Sequence, residues 1–335
     1  MCTRNRGNLS GSISLDFGLV LPCLPGDRQY LDAVGSELFL SGGASKLDTL
    51  LLYSPPTHWL RALRRRCTTL LHLILSWDQS YYLEIDPSTT WRRNLRVELP
   101  WRGLTQLQLR SVPVDVCFEL LTGCPDLTHF SSDNDLPRTG PDPVSDGQII
   151  LSKLEYLRWF PWHRNLHLYT FPALQCISTS EWDNSLQDSL CEYLSRNNDL
   201  DAFELTLESR TLISARVAPI LKSIPRLRHL ICTDIPPVSL SMVFRILLRT
   251  TCFRYIRVIT SRHTAATKVG SESWFVNGFY DMVKGKQVNE ERTFRFETEN
   301  LLIDWEVFWK EDRFMRLKED GFRLEVFHNG HAVDV

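Results

Sequence analysis

One short pattern, L-x-x-L-x-L, recurs along the chain and limits its possible folds more than any other feature. Full copies stand at Leu47/Leu50/Leu52, Leu70/Leu73/Leu75, Leu104/Leu107/Leu109, Leu154/Leu157/Trp159 and Leu227/Leu230/Cys232. Looser copies are Leu127/Phe130, Leu174/Ile177, Leu200/Phe203/Leu205 and Phe253/Ile256/Val258. All but one of the intervals between successive copies fall within the roughly 20–29 residues of a leucine-rich repeat. The exception, Leu70 to Leu104, contains Asp86-Pro87-Ser88, a turn signal that reads as an inserted loop. In an extended segment alternate side chains share a face. Each L-x-L therefore turns two apolar side chains one way and the residue between them the other.

The stretches between copies have the chemistry of a returning arm. After the Leu104 copy, Asp115 is a candidate N-cap, and Cys117, Leu120 and Leu121 follow at helical spacing. Ser185–Leu194, Ala215–Ile224 and Val238–Leu248 read the same way. Pro125, Pro172 and Pro225 each stand two residues before the first leucine of a copy. Proline cannot continue a helix, so it marks the switch from helix to strand. A single unit of this kind cannot bury its apolar edge, but stacked parallel neighbours can. The pattern predicts an α/β fold: a leucine-rich-repeat solenoid, a right-handed β-α superhelix with irregular repeats, over residues 47–260. Residues 1–46 are glycine-rich and weakly periodic and read as an N-terminal cap, a remnant of a further module or a partly disordered segment. Ser131–Gly147 is a polar excursion. Residues 261–335 form a polar link and a C-terminal cap, with strand-like Thr293–Phe296, a strand through Phe322, Leu324 and Val326, and Trp305 and Trp309 on one helix face.

Composition narrows the partners. The chain has 335 residues, and hydrophobic residues at 43% are enough to form a core. A formal charge of −2 lacks the basic surface that phosphate binding demands, so nucleic acid is not the expected partner. The nine cysteines show no C-x-x-C spacing, which fits reduced thiols in a cytoplasmic or nuclear protein. The apolar run Phe17–Leu24 is too short to span a bilayer, so neither a signal peptide nor a membrane segment is expected.

The segment Leu104–Phe130, LTQLQLRSVPVDVCFELLTGCPDLTHF, resembles the repeat region of fungal (basidiomycete) F-box-like leucine-rich-repeat proteins. Trp91-Arg92-Arg93, Leu99-Pro100-Trp101, Leu151–Trp159 and Leu317–Val326 are similar to that group as well, so the resemblance covers roughly Leu47 to the last residues. It implies a substrate receptor of ubiquitin ligases, in which an F-box recruits a Skp-family adaptor and the repeats hold the substrate. Leu21-Pro22 and Leu24-Pro25 match the Leu-Pro that opens an F-box. Gly26, Gly35, Gly42 and Gly43 interrupt the three-helix pattern that should follow. The F-box is therefore read as missing or degraded, and the adaptor is not a firm expectation. The asparagine common after the strand of such repeats is also absent, with Val112 in its place.

The residues between the leucines predict a binding surface. In the middle and C-terminal copies these outward positions hold Gln106, Gln108, Tyr156, Arg158, Glu204, Tyr255 and Arg257, expected on one concave face that contacts a protein partner. Tyrosine and arginine combine large contact area with directional hydrogen bonds and are enriched at interface hot spots. The bland alternative is a row of solvated strand residues. Other clusters weigh less. His163 and His167 are four apart but lack further ligands, so no metal is expected. Cys117 and Cys124 fit core positions better than a redox pair. Arg61–Arg66 reads as a solvated helix face, and Phe160 with Trp162 is a candidate surface aromatic pair. No G-x-S-x-G, H-E-x-x-H, G-x-G-x-x-G or phosphate-binding G-x-x-x-x-G-K occurs, so no enzyme, catalytic residue or cofactor is expected.

Overall fold

The computed structural model describes residues 12–16, 48–53, 69–76, 102–112, 114–133, 149–159, 166–180, 184–196, 203–208, 214–224, 226–235, 237–248, 253–260, 273–286, 293–300 and 312–333. It is a mixed α/β chain whose strands pair almost throughout in parallel. Its Cα positions form two compact units, residues 1–162 with 168–173 and residues 163–167 with 174–335.

In the first unit, β1 (Ser12–Asp16), β2 (Thr49–Tyr53), β3 (His72–Ser76), β4 (Gln106–Arg110), β5 (His129–Asp133) and β7 (Tyr156–Trp159) follow one another in parallel order. The sequence alternation sets which face is buried: β3 and β4 hide every second residue. Leu50, Leu73, Leu107, Phe130 and Leu157 stand in line across the strands, and so do Leu52, Leu75, Leu109 and Ser132. All nine are buried. Burying one such leucine stabilises by about 1.5–3 kcal/mol. Slipping a strand by one residue would lose this on every side chain at once, which fixes the register. Parallel sheets usually hide both faces and carry continuous apolar runs. Here the alternating face holds half-exposed Thr49, His72, Gln106, His129 and Tyr156 instead.

A backbone device repeats beside these strands. The Asp48 carbonyl accepts from the Leu71 and His72 N–H groups, Leu71 from Thr105 and Gln106, Thr105 from Thr128 and His129, and Thr128 from Glu155 and Tyr156. All eight N···O distances lie between 2.8 and 3.0 Å. Each strand is thus started from the residue preceding its neighbour. The turns ahead of β4, β5 and β7 are joined by one side chain: Asp126 accepts from the Gly103 N–H at 3.1 Å and from Lys153 Nζ at 2.6 Å. Those bonds hold the Asp126 carboxyl below its ordinary pKa, the Lys153 bond most. Gly103 has φ +99°, a backbone conformation that favours glycine. The return arm after β4 is α1 (Val114–Gly123), which buries Cys117, Leu120 and Leu121 as the spacing predicts. Pro125 then stands in the turn before Leu127. The short strands β6 (Ile149–Ile150) and β8 (Tyr169–Thr170) pair in parallel with each other.

The second unit runs in parallel through β9 (Cys176–Ser180), β10 (Phe203–Glu208), β11 (Leu227–Thr233), β12 (Tyr255–Ile259), β13 (Thr293–Glu299) and β14 (Arg323–His328). The two-residue β15 (His331–Ala332) closes the end in antiparallel sense. β13 and β14 therefore continue the ladder past residue 260. Return arms are α2 (Asn184–Arg196), α3 (Ser214–Lys222) and α4 (Pro237–Leu247), with each helix packed on the next. α4 buries Leu240, Val243, Phe244 and Leu247, one helical stripe, and begins at Pro237, where a missing N–H costs nothing. An unexpected helix, α5 (Ser273–Lys286), packs beside α4 and buries Val276, Phe279, Met282 and Val283. Its ring Phe279 lies 4.7 Å from Phe296 of β13 between centroids, so the helix covers the inner face of that strand. α6 (Asp312–Glu319) follows and ends at Gly321 (φ +79°), with the Phe322 N–H donating to the Leu317 carbonyl at 3.0 Å.

Strand exits also recur. Ser111, Asp234 and Asn300 directly follow β4, β11 and β13, with φ of 54, 55 and 56°. Left-handed backbone is tolerated best by short polar side chains, which accounts for Asp and Asn here. Val112 and Ile235, the next residues of two of these exits, are buried. The missing asparagine is thus replaced by an inward apolar residue behind a left-handed turn. Among the described residues no helix is long and apolar enough to cross a membrane.

Candidate protein-binding surface

In the first unit, four of the expected residues come together. Gln106 and Gln108 lie on β4, and Tyr156 and Arg158 on β7, with His129 and Ser131 of β5 between them. The register gives two rows across the strands, Gln106–His129–Tyr156 and Gln108–Ser131–Arg158. All six side chains are half-buried. The His129 and Tyr156 rings stack, with centroids 5.7 Å apart and planes inclined by 23°. His129 Nδ1 is held 2.9 Å from Thr128 Oγ1. With the Gln108 amide turned so that its oxygen faces Arg110, that oxygen accepts from Arg110 Nε and a terminal guanidinium nitrogen, both at 3.1 Å. These contacts restrict the rotamers of an otherwise open face, which lowers the entropic cost of docking against it. Beyond Gln108 its row turns apolar, with Leu51 and Ile74 paired on β2 and β3, whereas the row of Gln106 stays polar through Thr49 and His72.

In the second unit, Tyr255 and Arg257 lie on β12 and Glu204 on β10. Glu204 was expected in the row of Arg257, but it pairs with Cys176 and His229 and so falls in the row of Tyr255. Thr206 stands opposite Ser178 and Ile231 instead. Backbone pairing sets Leu205 and Leu207, in place of Phe203 and Leu205, opposite Ile177 and Thr179 of β9 and Leu230 and Cys232 of β11, with a register irregularity between Phe203 and Glu204 on the β11 side. A shift of two preserves the outward face.

Tyr255 and Arg257 are built into a polar network that the sequence reading did not include. The Tyr255 hydroxyl donates to Glu297 at 2.7 Å, Arg257 pairs with Glu299, and Arg257 Nε lies 3.7 Å from Glu297. Arg295 donates to Glu297 through Nε at 2.8 Å and stacks its guanidinium 4.2 Å above Phe327. His229 meets the Tyr255 ring edge-on at 5.5 Å. Burial pushes the Tyr255 phenol up, and the adjacent Glu297 carboxylate adds to the effect. Burial also pushes the Glu297 carboxyl up, but the bonds from Tyr255 and Arg295 and the neighbouring guanidinium charges outweigh it and hold it below its ordinary range. Arg295, Glu297 and Phe327 escaped the leucine template because β13 fills its inward positions with Phe294, Phe296 and Thr298. The strict alternation of Thr293–Glu299 was the available signal.

Cys117 and Cys124 are both buried; Cys117 Sγ donates to the Val112 carbonyl at 3.5 Å. Among the described residues no group of three or more His, Cys, Asp or Glu could hold a metal ion. Arg61–Arg66, Phe160, Trp162, His163, Trp305 and Trp309 lie outside the described residues, as does most of the polar excursion after Asp133. No protein-family model matches the chain, and no curated protein matches it.

Proposed function

We propose that this chain is a leucine-rich-repeat solenoid with irregular repeats that works by binding another protein on its outward strand face. It resembles the substrate-binding repeat region of F-box proteins of ubiquitin ligases and is not an enzyme. The observation that carries this reading is the one-sided parallel ladder. Its inward leucine rows and recurrent carbonyl double acceptor support a reading as stacked units, and its outward rows hold Gln106, Gln108, Tyr156 and Arg158 at strand spacing. Side chains set at strand spacing along such a face suit a protein surface better than a small substrate. The setting is cytoplasmic or nuclear, with no cofactor, nucleic acid or membrane partner.

The test is affinity purification of wild type beside a Tyr156→Ala/Arg158→Ala variant of equal stability. A partner recovered with wild type and weakened about 30-fold or more in the variant supports the reading, matching a loss of roughly 2 kcal/mol at a hot spot. Partner binding that survives this change and is lost on altering Arg64–Arg66 places the site elsewhere.

A second reading, an interaction scaffold with no ubiquitin-ligase role, is favoured by β1. Ser12–Asp16 pairs in parallel with Thr49–Tyr53, so part of the N-terminal segment joins the ladder and is not part of a helical F-box. Co-purification with a Skp-family adaptor separates the two. Stoichiometric adaptor binding that depends on residues 1–46 sinks the scaffold reading.

A further inference from the structure

We draw no further inference here: the strongest candidate, the cleft between α6 and β14 lined by Phe314, Leu317, Lys318, Phe322, Arg323 and Leu324, carries nothing because nothing among the described residues shows what covers it.

Discussion

The Tyr255 hydroxyl donates a 2.7 Å hydrogen bond to Glu297 on the adjacent strand. Tyr255 stands directly opposite Arg295, so the bond is a diagonal one that reaches two residues along β13. Long aromatic side chains can span that diagonal. The same carboxylate accepts from Arg295 and faces Arg257, so β12 and β13 are joined on their outward face as well as through their backbones.

Replacing Tyr255 by Phe removes this bond and keeps the ring against His229. A hydrogen bond to a charged group contributes about 1.5–3 kcal/mol. Glu297 retains its arginine partners, so the expected loss is on the order of 1 kcal/mol, near the ordinary net value of a hydrogen bond. Urea titration of both proteins measures it. An unchanged midpoint would show that the bond contributes nothing in solution.

Acid should loosen the same joint. The folded Glu297 carboxyl lies below its ordinary value of about 4.3. Its contribution is therefore complete above that pH and fades as pH falls through the lower folded value. Wild type should lose melting temperature over this range more steeply than Glu297→Gln, which has no proton to take up there. Parallel curves for the two proteins would falsify the assignment.

Neighbouring residues on β4 should behave oppositely. Leu107 is buried in line with Leu73 and Phe130, so Leu107→Ala should cost about 2–5 kcal/mol. Leu107→Asp should cost more, since it places a charge in the packed interior. Gln108→Ala, on the outward face, should stay within about 0.5 kcal/mol. Similar losses at both positions in thermal or chemical unfolding would overturn the alternation.

Gly278 lies within α5, and a methyl there would meet the Ser241 carbonyl oxygen at 3.5 Å, an ordinary contact. Gly278→Ala should accordingly stabilise, by up to about 1 kcal/mol of helix propensity. A lower melting temperature would mean that α4 and α5 approach more closely than this. Gly285 differs, because a methyl there would come within 2.6 Å of Leu248 Cδ1 and force that side chain to move.

Local patterning alone was enough to place β2 to β5, β7, β9, β11 and β12 and to state which side chains turn inward. Leucines two apart commit a strand to one face, and proline ends the preceding helix. The outward rows followed from the same parity, including Gln106, Gln108, Tyr156 and Arg158. Tertiary structure decided the remainder, because neighbouring strands rather than local propensity set it. Glu204 moved by one row because backbone pairing with β9 and β11 set it opposite Cys176 and His229. β1 joined the ladder through pairing with β2, which sets Ile13 and Leu15 of the short alternation SISLD opposite Leu50 and Leu52 within an otherwise weakly periodic N-terminal segment. β13 joined because phenylalanine and threonine fill inward positions as well as leucine does once α5 covers them, and β14 joined by pairing with β13, Leu324 and Val326 standing opposite Phe294 and Phe296. The network around Glu297 was beyond reach of spacing arguments. It depends on three side chains from two strands meeting at one carboxylate, and only the completed register of β12 against β13 brings them together.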